Sequence, residues 1–89
     1  MSANMQKGGN EMQRATPEEI VASYQRFYKY RIDKGMTDTE VCQKADVGRG
    51  VLSNWRNGKQ MPTIKSLYKF AQVVGANVSD FIGEMSVMI

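Results

Sequence analysis

Two copies of one helix-start signal constrain this chain more than any other feature. Each sets a Thr before a helix and a Glu three residues later, in Thr16-Pro17-Glu18-Glu19 and in Thr37-Asp38-Thr39-Glu40. At that spacing the Thr hydroxyl accepts from the third helical amide while the Glu carboxylate accepts from the Thr amide, so two donors left open at a helix start are satisfied together. Pro17 strengthens the first copy, because its fixed φ suits a helix and its missing N–H is not needed there. Lys34-Gly35 then supplies a terminal cation and a residue tolerant of the left-handed conformation, which ends the first helix before the second begins.

The apolar spacing agrees with these signals. Ile20, Tyr24, Phe27, Tyr28 and Tyr30 follow a helical period, so the first helix is expected over about 17–34, its aromatic stripe serving as core rather than as a platform for bases. The second, about 38–45, turns Val41, Cys42 and Ala45 inward. After Asp46-Val47-Gly48 a third helix, about 49–56, carries Leu52 and Trp55 inward with Val51 on the flank, and stops at Asn57-Gly58. Pro62-Thr63 opens a fourth with Ile64, Leu67, Phe70, Ala71 and Val74 on its period and Gly75 at its end. Asn77 is expected to cap a short fifth helix with Phe81 and Ile82, and Asp80 in its first turn suits the helix dipole. No segment alternates like a strand. The fold class is all-α, a compact bundle of five helices. Residues 1–15, polar and with two glycines, are expected to form a flexible N-terminal arm, 16–84 the folded domain, and 85–89 an apolar C-terminal tail.

Composition narrows the chemistry. At 89 residues there is material for one small domain, and a single Cys42 with no His excludes an internal disulfide and the commonest metal ligand and general base. Cys42, among apolar neighbours, reads as a small buried side chain and not as a nucleophile. No paired acid and base, metal cluster or phosphate-cradling glycine loop is present, and Gly48-Arg49-Gly50 is too short for one, so no enzyme, no cofactor and no small-molecule ligand are expected. No run approaches the roughly 18 apolar residues needed to cross a bilayer, and the first residues lack the apolar segment of a signal peptide, so a cytoplasmic protein without membrane contact is expected.

The formal charge of +3 is unevenly placed. Residues 1–43 balance, whereas 44–69 carry Lys44, Arg49, Arg56, Lys59, Lys65 and Lys69 against Asp46 alone. A surface so charged attracts polyanions through counterion release, although a solvated basic face kept for solubility would look the same on charge alone. Within that segment the third helix presents Gly50, Ser53 and Asn54 opposite its apolar anchor, with Arg49 near its start. Two short helices joined by three or four residues, the second with a polar outer face, make a helix-turn-helix, whose second helix fits a major groove about 12 Å wide.

The ordered series Lys34-Gly35-Met36-Thr37, Glu40-Val41, Val47, Leu52-Ser53-Asn54-Trp55, Asn57-Gly58-Lys59, Pro62, Leu67, Ala71, Gly75, Asn77, Phe81 and Ile82 resembles the phage-repressor/Cro-type (XRE-type) helix-turn-helix domain, a lambda-repressor-like fold. The resemblance implies a sequence-specific binder of double-stranded operator DNA, a transcriptional repressor or autoregulator of prokaryotic or phage type, with its third helix in the major groove. It implies base reading by Arg49, Gly50 and Asn54, and backbone contacts by Ser53 and the loop Asn57, Gly58 and Lys59. It implies as well a two-fold homodimer on inverted half-sites. The tail Glu84-Met85-Ser86-Val87-Met88-Ile89 is apolar enough to bury against a partner copy, and could equally pack on its own domain.

Side-chain chemistry gives these residues roles. Arg49 can donate a bidentate pair to guanine and Asn54 can pair with adenine, each worth about 1–3 kcal/mol of discrimination. Lys59 with Arg56 suits phosphate, where a charge sets register without reading sequence. Gly50 costs about 0.5–1 kcal/mol inside a helix relative to Ala; its missing side chain either lets a base edge approach or is simply tolerated. Asp38 stands where the family usually has Gln gripping a phosphate, and an acid there would be repelled, so it is expected to serve the dipole of the second helix instead. A helix-turn-helix scaffold also serves as a protein-interaction module that reads no DNA, such as an antitoxin-like or polymerase-binding partner, and the loss of Gln at position 38 leaves room for that reading.

Overall fold

A computed structural model describes residues 15–82. The expected tail and all of the expected arm except Ala15 lie outside the described residues, and Ala15 packs half-buried at the edge of the core. Five helices follow in order among the described residues: α1 (Pro17–Asp33), α2 (Asp38–Ala45), α3 (Arg49–Arg56), α4 (Ile64–Val74) and α5 (Val78–Ile82).

The start signals act as their chemistry requires. At α1 the Glu19 amide donates to Thr16 Oγ1 at 3.1 Å and the Thr16 amide to Glu19 Oε1 at 2.9 Å. At α2 the Glu40 amide donates to Thr37 Oγ1 at 3.1 Å and the Thr37 amide to Glu40 Oε1 at 2.8 Å. Thr63 accepts from the Ser66 amide to begin α4. Position 48 is the N-cap of α3, and Gly there brings no side-chain bond. At α5 the cap works from the other side: the Asp80 carboxylate accepts from the Asn77 amide at 2.9 Å. Asp46 ends α2 in the left-handed region, with φ 58°, a conformation in which an Asp is tolerated at some cost.

α1 lies across α3, α4 and α5, and α2 packs on α4 and α3. Where they meet, Phe27, Trp55, Phe70 and Phe81 are fully buried. Trp55 stacks on Phe70 at 5.8 Å with 14° between the planes, tilts against Phe27 at 5.0 Å, and meets Phe81 at 5.9 Å. Such aromatic contacts add about 0.5–1.5 kcal/mol each beyond area burial. The indole N–H, equally buried, donates to Ser23 Oγ at 3.2 Å, and Ser23 has no exposed surface. Leu67, Val41, Cys42, Ala45, Ala71 and Val74 close the core from α2 and α4.

Two residues on the expected inward stripes are outside. Ile64, the first residue of α4, is 44% exposed, and Tyr28 is 43% exposed, with the Arg31 guanidinium over its ring at 4.8 Å, a cation–π contact on the surface of α1. Tyr30 is half-buried, edge-on to Phe81 at 6.0 Å. No helix among the described residues is long and apolar enough to cross a membrane.

Ser23→Ala leaves the buried indole N–H without an acceptor. It should lower the unfolding free energy by about 1–3 kcal/mol, read as a lower urea midpoint at unchanged slope. An unchanged midpoint would show that the bond contributes nothing net.

Candidate nucleic-acid interface

The burial of Leu52 and Trp55 fixes which way α3 faces. At about 100° per residue, the opposite side of the helix falls on Gly50, with Ser53 and Asn54 to either hand and Arg49 and Arg56 toward α2. Arg49 and Gly50 are exposed, and Ser53 and Asn54 half-buried. Arg49, Ser53 and Arg56 line one depression with Asp38, Thr39 and Cys42 of α2, while Asn54 lines another with Val51 and residues 60–63. The expected base-reading set is therefore brought onto one helix face, but split between its two flanks. A Cβ built on Gly50 meets nothing within 4 Å, so the space in front of it is open.

Two residues not singled out from the sequence join this surface. Thr39 and Gln43, one turn apart on α2, are exposed and line a shared depression with Gly48 and Arg49. The α2 wheel puts both off the Val41, Cys42 and Ala45 face, but Glu40 and Lys44 lie off it too, so only the pairing with α3 singles them out.

The loop after α3 is held by its own backbone. The Asn57, Gly58 and Lys59 amides donate to Ser53, Trp55 and Asn54 carbonyls at 3.0, 3.1 and 2.8 Å. What the loop can offer an incoming anion is therefore the exposed side chains of Asn57 and Lys59. Gly58 is buried with φ 74°, and a Cβ on it would meet Val21 Cγ2 at 2.9 Å and the Pro17 carbonyl oxygen at 3.1 Å, so this glycine lets the loop close against α1.

Asp38 does more than face a helix dipole. Arg31 Nε lies 2.8 Å from its Oδ1, Arg56 Nη1 lies 3.1 Å from its Oδ2, and the Tyr24 hydroxyl donates to the same carboxylate at 3.1–3.2 Å. Arg31 also donates to the Met36 carbonyl at 2.6 Å, so one acid ties α1, the first turn of α2 and the end of α3. Arg56, expected as a cation for phosphate, is half exposed and paired with Asp38. Burial pushes the Tyr24 hydroxyl above its ordinary pKa, and the Asp38 charge adds to the effect.

Cys42 is buried, and burial together with Asp38 raises its thiol above the ordinary value of 9.0, partly opposed by Arg49. A neutral, covered thiol is a poor nucleophile. Among the described residues no group of three His, Cys, Asp or Glu side chains comes together.

The α2–turn–α3 unit, docked on a helical bundle with its polar face outward, is a helix-turn-helix. A helix-turn-helix family model, HTH_3, matches residues 27–81, and the chain belongs to that family. It is 33% identical over 51 residues to an uncharacterized HTH-type transcriptional regulator, y4dJ, of Sinorhizobium fredii, a stretch spanning 57% of this chain and 66% of that protein. It is 33% identical over 55 residues to an uncharacterized HTH-type transcriptional regulator of Archaeoglobus fulgidus, spanning 62% of this chain and 79% of the relative. Among solved structures, the SinR protein/SinI protein complex aligns with TM-score 0.64 at 32% identity, over 68% of this chain and 60% of that one. The clp gene regulator ClgR of Corynebacterium glutamicum aligns with TM-score 0.63 at 26% identity, over 72% and 68%. The restriction-modification controller protein C.AhdI of Aeromonas hydrophila, at 16% identity and TM-score 0.65, shares the fold.

The raised thiol has a consequence for stability. As pH climbs past about 9 the unfolded chain releases the Cys42 proton while the folded chain keeps it, so stability present below that pH is lost above it. Tyr24 acts in the same direction from about 10. The unfolding free energy should hold up to about pH 9 and then fall, and Cys42→Ala should remove the first part of the fall. An identical fall in that variant would contradict the assignment.

Proposed function

We propose that this chain is a DNA-binding transcription regulator that reads duplex DNA sequence by placing α3 in the major groove. The observation that carries the reading is the two-sidedness of α3: Leu52 and Trp55 are sunk in the core while Arg49, Gly50, Ser53 and Asn54 look out beside α2. An eight-residue helix anchored this way has its side-chain chemistry aimed at a partner and its orientation fixed by the bundle. The family match and the regulators among its relatives support the same reading.

Arg49, at the exposed start of α3, donates to guanine N7 and O6, and Asn54, five residues on and on the other flank, pairs with adenine. Gly50 lets the duplex approach the helix backbone. Lys59 and Asn57 meet phosphates, with Ser53 at the edge of the same backbone contact, and set the register of α3, while Arg56, expected from the sequence to join them, is engaged by Asp38. Gly58 serves that contact by shaping the loop that carries its neighbours. Bound so, the protein would act by occupancy, as a repressor or autoregulator that excludes polymerase from the operator, and two copies related by a two-fold axis would read inverted half-sites about one helical turn apart.

Selection of bound duplexes from a random pool at about 0.15 M salt tests the reading, since nonspecific phosphate contacts are weakened there. The wild-type protein should enrich a motif containing guanine. Arg49→Ala should lose about 1–3 kcal/mol on that duplex and relax selection at one base pair, whereas Lys59→Ala should weaken binding to all duplexes and lower the salt slope by about one. Failure of a folded sample to enrich any sequence would overturn the reading in favour of a protein-interaction module.

Gly50 separates its two readings. Because a Cβ there meets nothing, Gly50→Ala should raise stability by about 0.5–1 kcal/mol in a thermal or urea melt. If the duplex approaches that position closely, the same variant binds it several-fold more weakly; unchanged binding would mark the glycine as merely tolerated.

A further inference from the structure

We infer that Asp38 is an affinity-setting residue: an internal anion that holds Arg56 back from the DNA backbone and so limits how tightly the interface binds. The inference rests on the DNA-binding reading above. Three observations carry it. The Asp38 carboxylate contacts two guanidiniums, Arg31 at 2.8 Å and Arg56 at 3.1 Å, and accepts from the Tyr24 hydroxyl, so it is held firmly in one place. Its side chain is still 22% exposed, and it lines the same depression between α2 and α3 as Arg49 and Ser53. Its two cations are unequal: the Arg31 side chain is 12% exposed and tied to the Met36 carbonyl, whereas that of Arg56 is 50% exposed and sits at the rim. Arg31 is therefore part of the brace between helices, and Arg56 is the cation able to leave.

A phosphate brought to the edge of α3 would compete with Asp38 for Arg56 and would also meet a like charge fixed by its neighbours. Both effects reduce the counterions released on binding, because Arg56 can reach a phosphate only by giving up its ion pair with Asp38. A neutral residue at position 38 ends the competition, so Asp38 lowers affinity without touching the residues proposed to read bases. For a protein that must leave its site, an acid at this position shortens occupancy while leaving sequence preference as it is.

The test is a pair of single variants and their double, Asp38→Asn, Arg56→Gln and both, measured on the selected duplex and on an unrelated one across a salt series. With Asp38 in place, Arg56→Gln should change affinity by less than about threefold and leave the salt slope within about half a unit, since that cation is already engaged. Asp38→Asn should tighten binding to both duplexes by roughly three- to tenfold and steepen the slope by about one, and Arg56→Gln in that background should reverse both changes. The ratio between the two duplexes should stay constant throughout. A wild-type slope that drops by one on Arg56→Gln, or an Asp38→Asn variant that melts cooperatively yet binds no tighter, would overturn the inference. Absence of wild-type preference between the duplexes would instead overturn the DNA-reading proposal. Because Arg31 loses its carboxylate in Asp38→Asn, that variant is followed by melting, and Arg56→Gln, altered only at a half-exposed side chain, keeps the test intact if it unfolds.

Discussion

The bond from the Trp55 indole to Ser23 Oγ, with the rings around it, is what the rest of the molecule is arranged upon. Trp55 belongs to α3, Ser23 and Phe27 to α1, Phe70 to α4 and Phe81 to α5, so one side chain gathers four helices. A large ring can be fully buried only if its N–H finds an acceptor, and the small Ser23 provides one without holding α1 away. The consequence for function is orientational. Once Trp55 and Leu52 are inside, α3 cannot rotate, and its polar residues have one direction in which to point.

A second constraint works at the surface. Around Asp38, two arginines and a tyrosine connect the first turn of α2 with α1 and with the last residue of α3. The angle between the two helices of the motif is thereby braced at its rim as well as from the core through Val41, Cys42 and Leu52. The half-exposed Arg56 pair is worth little alone, about 0.2–1 kcal/mol, while the Arg31 pair is mostly buried, and the network sharing one carboxylate fixes the geometry of the junction. The depression so formed carries Thr39, Arg49 and Ser53 side by side.

Much of the fold is legible in the sequence because its helix ends are written locally. The Thr–Glu pairs at 16/19 and 37/40 make their bonds within four residues, and the left-handed positions at Asp46 and Gly75 depend on their own backbone. Residues whose roles depend on distant partners are harder to read. Ser23 looks like any helix serine until Trp55, 32 positions away, is brought beside it. Arg56 looks like an available cation until Asp38 is seen across the helix junction. Tyr28 and Ile64 satisfy the helical period but lie outside the packed layer, because periodicity gives a face and not the extent of the neighbour that covers it. At the site, the outward set on α3 is legible as the complement of Leu52 and Trp55, whereas Thr39 and Gln43 take their place only from the pairing of α2 with α3.

If the surface built around α3 is the one that meets DNA, a bound duplex must perturb that surface and leave the far side of the bundle alone. Amide chemical-shift mapping during titration with a selected duplex reads this directly. Shifts should concentrate at residues 38–43, 49–54 and 57–59, with the amides of α5, which packs on α1 and α4, unmoved. Shifts centred on α4, with Arg49 and Asn54 unaffected, would place the interface elsewhere and refute the assignment of α3.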